Sequence, residues 1–246
     1  MNRILILGGT GDAAELAAKL SLVNGVEVIT SLAGRTRQPS IPIGIVRVGG
    51  FGGADGLVAY LREHQIDGLV DATHPFAAQI SWNAAVAAKA ANIPHLMLVR
   101  PAWDKVAGDD WIEVETIAAA AHAIPDRATR IFLTIGRQEL AFFAKLTNRW
   151  FLMRMIDSPT ADAVVPPGEV LCDRGPFSLD NERNLILHYN IDALVSKNSG
   201  GAATYAKIKA ARELSIPVVM VQRPTMPVGE QVATVAQALS WLASHL

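Results

Sequence analysis

A chain of 246 residues, half of them apolar and 18% charged, is too hydrophobic for disorder and long enough for one large domain or two smaller halves. Its formal charge of −1 excludes a global pull on nucleic acid or anionic lipid, so any anion recognition must be local. No apolar run reaches the roughly 18 residues of a membrane span, Met1-Asn2-Arg3 enters a strand-like run rather than a secretory leader, and a lone Cys172 rules out an internal disulfide. A cytoplasmic monomer with Cys172 packed as a small hydrophobe is the expectation. Short β-branched or leucine-rich runs predict strands near 3–7, 26–31, 43–48, 67–71 and 95–99, and alanine-rich stretches predict helices near 12–22, 54–65 and 76–91. A polar stretch from Trp103 to Trp111 reads as a linker with exposed aromatics. The series then restarts, with strands near 130–135, 150–155, 168–172, 192–196 and 217–221 and helices near 137–146, 178–188, 201–214 and 230–243.

Three segments recur with nearly constant spacing. Arg3-Ile4-Leu5-Ile6-Leu7 aligns with Arg130-Ile131-Phe132-Leu133-Thr134, Asp67-Gly68-Leu69-Val70 with Asp192-Ala193-Leu194-Val195, and Ile93-Pro94 through Arg100-Pro101 with Ile216-Pro217 through Arg223-Pro224. The pattern predicts an α/β protein of two halves, 1–104 and 105–246, each a parallel sheet flanked by helices, with a ligand cleft between them.

The first strand runs into Gly8-Gly9-Thr10-Gly11-Asp12 and then a helix. Glycines let the main chain approach a pyrophosphate, and a helix start offers free N–H groups and a positive dipole end. This falls short of a full G-x-G-x-x-G. An NAD enzyme places a carboxylate at the end of the second strand for the ribose hydroxyls; here that end reads Thr30-Ser31, then Gly34-Arg35-Thr36. Ser31, Arg35 and Thr36 suit a 2′-phosphate, which favours NADPH, although a solvated Arg-Thr-Arg loop has the same sequence.

Asp71-Ala72-Thr73-His74-Pro75-Phe76 follows a strand, with Pro75 suited to a first helical turn and His74 facing the crevice. The matching place in the second half reads Ser196-Lys197-Asn198-Ser199-Gly200-Gly201, a glycine-rich anion nest with a mobile cation. Arg137, Arg154, Arg100 and Arg223 also fall at predicted strand ends and would gather on one rim. Tyr205 and Lys209 have the spacing of a dehydrogenase acid pair, but in the half lacking the first glycine turn. The six histidines show no metal-ligand spacing, so no metal is expected.

Taken together, Ile6-Leu7-Gly8-Gly9-Thr10, Ser31-Leu32-Ala33-Gly34-Arg35, Val70-Asp71-Ala72-Thr73-His74-Pro75-Phe76-Ala77, Ile135-Gly136-Arg137 and Ser196-Lys197-Asn198-Ser199-Gly200-Gly201 resemble the precorrin-6A reductase family along essentially the whole chain. Members more often carry Thr-Glu or Ser-Glu after Gly-Gly-Thr; Gly11-Asp12 here keeps the carboxylate. The resemblance implies two Rossmann-like (flavodoxin-like) halves, NADPH as cofactor, and reduction of one double bond of a tetrapyrrole, precorrin-6A, to precorrin-6B in cobalamin biosynthesis. On that reading Gly8, Gly9, Thr10, Ser31, Gly34, Arg35, Thr36, Thr73 and Arg137 hold the cofactor. Arg154, Ser196, Ser199, Gly200 and Gly201 face the macrocycle and its carboxylates. His74 and Lys197 are the candidate proton donors, with water or a substrate carboxyl as alternatives. Two rivals stay open: a small-carbonyl reductase working through Tyr205 and Lys209, and a non-catalytic dinucleotide sensor.

Overall fold

A computed structural model describes residues 1–34 and 43–245. In chain order it contains β1 (Asn2–Leu7), α1 (Gly11–Leu20), β2 (Val26–Leu32), β3 (Ile45–Val48), α2 (Ala54–Glu63), β4 (Gly68–Asp71), α3 (Ala78–Ala91) and β5 (His95–Leu98). Next come β6 (Trp111–Val114), α4 (Ile117–Ala123), β7 (Arg130–Thr134), a 3-10 turn over Arg137–Phe143, β8 (Trp150–Met155) and β9 (Gly168–Cys172). The last elements are α5 (Leu179–His188), β10 (Ala193–Lys197), α6 (Ala206–Glu213), β11 (Val218–Val221), β12 (Glu230–Val232) and α7 (Val235–His245).

Two wholly parallel six-stranded sheets result, in the orders β3-β2-β1-β4-β5-β12 and β9-β8-β7-β10-β11-β6. Each sheet reverses its direction of growth beside one central strand, so a topological switch point lies between β1 and β4 in one and between β7 and β10 in the other.

The strand sequences are continuously apolar because both faces of each sheet are covered. In β1, Ile4 and Ile6 pack with Val28, Val70 and Leu96 against Leu16 and Leu20 of α1 and Ala238 and Leu242 of α7. Leu5 and Leu7 point the other way, with Leu69, onto Leu57 and Leu61 of α2 and Ala84 and Ala88 of α3. One face of the second sheet sets Phe132, Leu152, Leu194 and Met220 against Ile186 of α5 and Ile208 of α6.

Several expectations need correction. The compact units are Met1–Pro101 with Pro224–Leu246, and Ala102–Arg223, rather than a single cut after residue 104. The reason is β12: Glu230, Gln231 and Val232 pair with Leu96, Met97 and Leu98, so the end of the chain completes the first sheet. Conversely β6, which comes after β5 in sequence, pairs with β11 at the edge of the second. Residues 230–243 were expected as one helix, yet the helix starts only after Thr234. There the Thr234 hydroxyl accepts from Gln237 N at 3.2 Å and Gln237 Oε1 accepts from Thr234 N at 3.1 Å, a capping box.

Trp103 and Trp111 are not linker aromatics: both are buried in the second core. Cys172, expected inside, is exposed at the end of β9. The helix expected from 201 starts at Ala206, because Gly200 and Gly201 have φ of +68° and +74° and cannot sit in a right-handed turn.

Candidate active site

At the first switch point the chain leaves β1 through Gly8, Gly9 and Thr10. A Cβ on Gly8 would lie 2.9 Å from the Thr30 methyl, so only glycine lets the loop close onto β2. Gly9 has a φ of +107°, and nothing lies within 4 Å of where its Cβ would be, or that of Gly11. Thr10 caps α1 by accepting from Ala13 N at 3.1 Å and donates to Ala72 O at 2.7 Å, tying the loop to the end of β4. The result is an open glycine turn over the N-terminus of a ten-residue helix. Its donor set fits a pyrophosphate. Asp12 in the first turn would repel such a group, but its carboxylate is paired with Arg100 at 3.0 Å.

The end of β2 carries a residue that the sequence reading missed. Arg47 of β3 donates to Ser31 Oγ at 3.2 Å and to the carbonyls of Gly49 and Gly50, and lies 3.7 Å over the Phe51 ring. A charged guanidinium therefore stands beside Ser31, in the place where an NAD site would hold a carboxylate. The lone arginine in Ile45-Val46-Arg47-Val48, at the end of the third strand, was the available signal. Gly34 is exposed with a φ of +70°. Arg35 and Thr36 lie outside the described residues.

After β4 the chain turns before α3 begins at Ala78, so Pro75 does not sit in the first helical turn. Asp71 is buried, and its Oδ1 accepts from both the main-chain N–H and the hydroxyl of Thr73, at 3.0 and 2.6 Å. The Thr73 hydroxyl thus serves the turn. Asp71 Oδ2 is buried and has no hydrogen-bond partner among the described residues; His95 Nε2 is likewise without one. Burial pushes the His95 imidazole below its ordinary pKa, and the Asp71 carboxylate partly restores it. His74 Nδ1 accepts from Phe76 N at 3.2 Å, which places the proton of the neutral ring on Nε2.

At the second switch point Gly136, with a φ of +86°, leads into the 3-10 turn that starts with Arg137. Glu139 of that turn forms an ion pair with Lys197 at the end of β10. Ser196 is fully buried, with its hydroxyl donating to the Lys197 carbonyl at 3.2 Å. Arg154 is also not on a rim: its guanidinium is buried, bidentate on Glu182, and stacked 3.7 Å from the Phe177 ring. Beside this pair Lys207 is buried on α6, and burial, reinforced by Arg154, lowers its pKa from 10.5 to about 7.

The expected row of ligand-seeking cations is therefore largely satisfied from within. Arg100 is on Asp12, Lys197 on Glu139, Arg154 on Glu182, and Arg223 on the carbonyls of Asn198 and Ser199. The Tyr205–Lys209 pair does not assemble as an acid site either. Tyr205 Oη accepts from Arg212 Nη2 at 2.7 Å, and its ring packs 5.7 Å from Trp103.

Residues 3–243 match the family described as precorrin-6x reductase CbiJ/CobK. The chain belongs to this family, and is a reductase of cobalamin biosynthesis. It is 53% identical to precorrin-6A reductase of Rhodococcus erythropolis over 99% of this chain and 98% of that one. It is 44% identical to precorrin-6A reductase of Mycobacterium tuberculosis over 99% and 98%. The structure of CobK precorrin-6A reductase superposes with a TM-score of 0.94 at 40% identity, covering 100% of this chain and 97% of that one. Two parallel sheets flanked by helices are thus the fold of the family as well as of this chain.

Proposed function

We propose that this reductase acts on the precorrin-6A macrocycle with NADPH, giving precorrin-6B. The observation that carries the substrate is the full-length similarity to relatives that bear that name. The choice of NADPH is supported by the end of β2, where Ser31 and Arg47 stand and no carboxylate does.

When bound, NADPH supplies a hydride to an electron-poor carbon of the conjugated ring, and a proton is added at the neighbouring carbon. The chain contributes binding, orientation and that proton. Gly8, Gly9 and Thr10 present the α1 terminus to the pyrophosphate, and Ser31, Gly34 and Arg47, with Arg35 and Thr36, take the remaining phosphate and ribose contacts. Thr73 acts through the turn that aims His74. His74, with Nδ1 accepting from Phe76 N, is held in place by the turn and is suited to orient a ligand rather than to release a proton. Lys197, held by Glu139, is then the better proton donor. Ser199, Gly200 and Gly201 face the carboxylates of the macrocycle. A biosynthetic enzyme with one exposed, unbridged thiol suits the reducing cytoplasm.

Anaerobic incubation with NADPH and precorrin-6A tests this directly. Stoichiometric loss of nicotinamide absorbance together with the macrocycle spectral change is expected. In Lys197→Met the reduction should be lost while NADPH still binds. NADPH binding without any change in either spectrum would sink the substrate assignment, and equal rates with NADH would sink the cofactor assignment.

A further inference from the structure

The main chain of residues 198–204 is asymmetric in its hydrogen bonding. Asn198 O accepts from Arg223 Nε at 3.0 Å, and Ser199 O accepts from Arg223 Nη2 at 3.1 Å. Gly201 O accepts from Trp103 Nε1 at 2.8 Å, Ala202 O from Tyr205 N at 3.2 Å, Ala203 O from Phe177 N at 3.1 Å, and Thr204 O from Lys207 Nζ at 2.9 Å. The N–H groups from Gly200 to Thr204, in contrast, donate to no protein acceptor among the described residues. A trans peptide points the N–H of one residue opposite to the carbonyl of the residue before it. With the carbonyls of Ser199, Gly201 and Ala203 held by Arg223, Trp103 and Phe177, the N–H groups of Gly200, Ala202 and Thr204 each point away from the group that holds the preceding carbonyl.

The groups that pull those carbonyls are themselves fixed. Trp103 and Asn198 are both buried. They exchange two hydrogen bonds, Trp103 N to Asn198 Oδ1 at 2.8 Å and Asn198 Nδ2 to Trp103 O at 3.0 Å. The indole is flanked by the Tyr205 ring and by Lys207 Nζ, 5.0 Å from its centroid. The Arg223 guanidinium and the buried Lys207 amine thus both donate to carbonyls of the segment. N–H groups left without a protein acceptor, on a segment whose carbonyls are held by a guanidinium, suit an anion bound by main chain rather than by a mobile side chain.

We infer that Trp103, Asn198 and Arg223 are positioning residues that hold residues 199–204 as a cradle for a carboxylate of the macrocycle. This rests on the substrate class proposed above. It assigns the recognition of one acidic side arm to backbone geometry, in a half where Arg154 and Ser196 are turned inward.

The test is Trp103→Phe, which keeps the packed ring and deletes the indole N–H, assayed with precorrin-6A at saturating NADPH. A rise of about tenfold in KM for the macrocycle, with kcat and the NADPH Kd unchanged, is expected for loss of one aimed contact to a charged group. Arg223→Lys, which keeps the charge but not the planar fork that spans the two carbonyls, should give a smaller rise than Arg223→Met. An unchanged KM in a folded variant overturns the proposal, as does a parallel fall in kcat and NADPH binding. Uroporphyrin, a carboxylate-rich tetrapyrrole, serves as a separate binding probe read by its absorbance. If wild type fails to reduce precorrin-6A but binds uroporphyrin more tightly than Trp103→Phe does, the cradle stands and the substrate assignment falls. Equal binding by the two proteins overturns the cradle.

Discussion

The two sheets share one order over five of their six strands but differ in the connection that leaves the strand at the switch point. After β1 the glycine turn leads at once into α1, ten residues long and capped by Thr10, so the switch point presents a helix terminus. After β7 the chain enters a 3-10 turn whose Glu139 reaches across to Lys197, and the neighbouring loop presents turned peptide groups instead. A helix end gathers several parallel N–H groups and a dipole, which suits a pyrophosphate. A turn with a lysine and scattered N–H groups suits separate carboxylates. Sheet order places a switch point at the same position in both halves, and the loop after the strand decides which groups are presented there.

The interiors differ too. Among the described residues the first unit buries only uncharged hydroxyls and one carboxylate, Thr30, Ser31, Ser81 and Asp71, whereas the second unit buries a full ion pair and a lysine, Arg154, Glu182 and Lys207. The largest expected effect tests that contrast. Arg154→Met, which strands Glu182 in the core, should cost about 3–5 kcal/mol in urea unfolding, and adding Glu182→Leu should recover most of it. An Arg154→Met protein as stable as wild type would mean that the pair is not buried as described.

Lys207 gives the next effect, and it depends on pH. Its folded pKa of about 7 lies below the ordinary lysine value of 10.5, so between the two the unfolded chain holds a proton that the folded chain does not. Unfolding free energy therefore rises with pH across that window, by at most about 1.4 kcal/mol per pH unit, and the full cost of the buried charge is felt below pH 7. Lys207→Met should gain on wild type most at pH 6, with the gain shrinking toward pH 10. A pH-independent difference would show that Lys207 is not titrating there.

In the first unit, Arg47→Ala should weaken NADPH by about tenfold or more and leave NADH almost unchanged, since only the former loses a charge-assisted contact. Equal loss for both nucleotides would move Arg47 from phosphate recognition to support of the Phe51 stack. The smallest effect is at the returning chain end. Thr234→Ala should cost about 1 kcal/mol by removing the cap of α7, read as a modest fall in the unfolding midpoint.

Most strands were legible because their signal is local: a short run of consecutive apolar residues bounded by turn residues, as in Ile4–Leu7 or Ile131–Leu133. The sequence also marked the glycine turn before α1, whose chemistry lies in adjacent residues. It missed β6, whose four residues sit at the end of a polar, tryptophan-bearing stretch, and it ran through β12 because Glu230-Gln231-Val232 has no strand pattern of its own and pairs only because Leu96–Leu98 is there to receive it. The capping box of Thr234 and Gln237 was a readable sign that the last helix starts late. Among site residues, Thr10, Ser31 and His74 fell where the motifs placed them in the chain, but the partners that define their chemistry, Ala72, Arg47 and Phe76, are set by the folded loops.

The sequence alone determined the α/β class, the twofold recurrence of strands, the glycine turn at the first helix and the family, because each depends on residue type and short-range period. Only the tertiary structure decided which sheet receives β6 and β12, and that Arg154 and Lys197 are answered by Glu182 and Glu139. Those outcomes depend on contacts between residues far apart in the chain, 28 residues for Arg154 and Glu182 and 58 for Lys197 and Glu139, and no local pattern encodes which charge a buried cation will find.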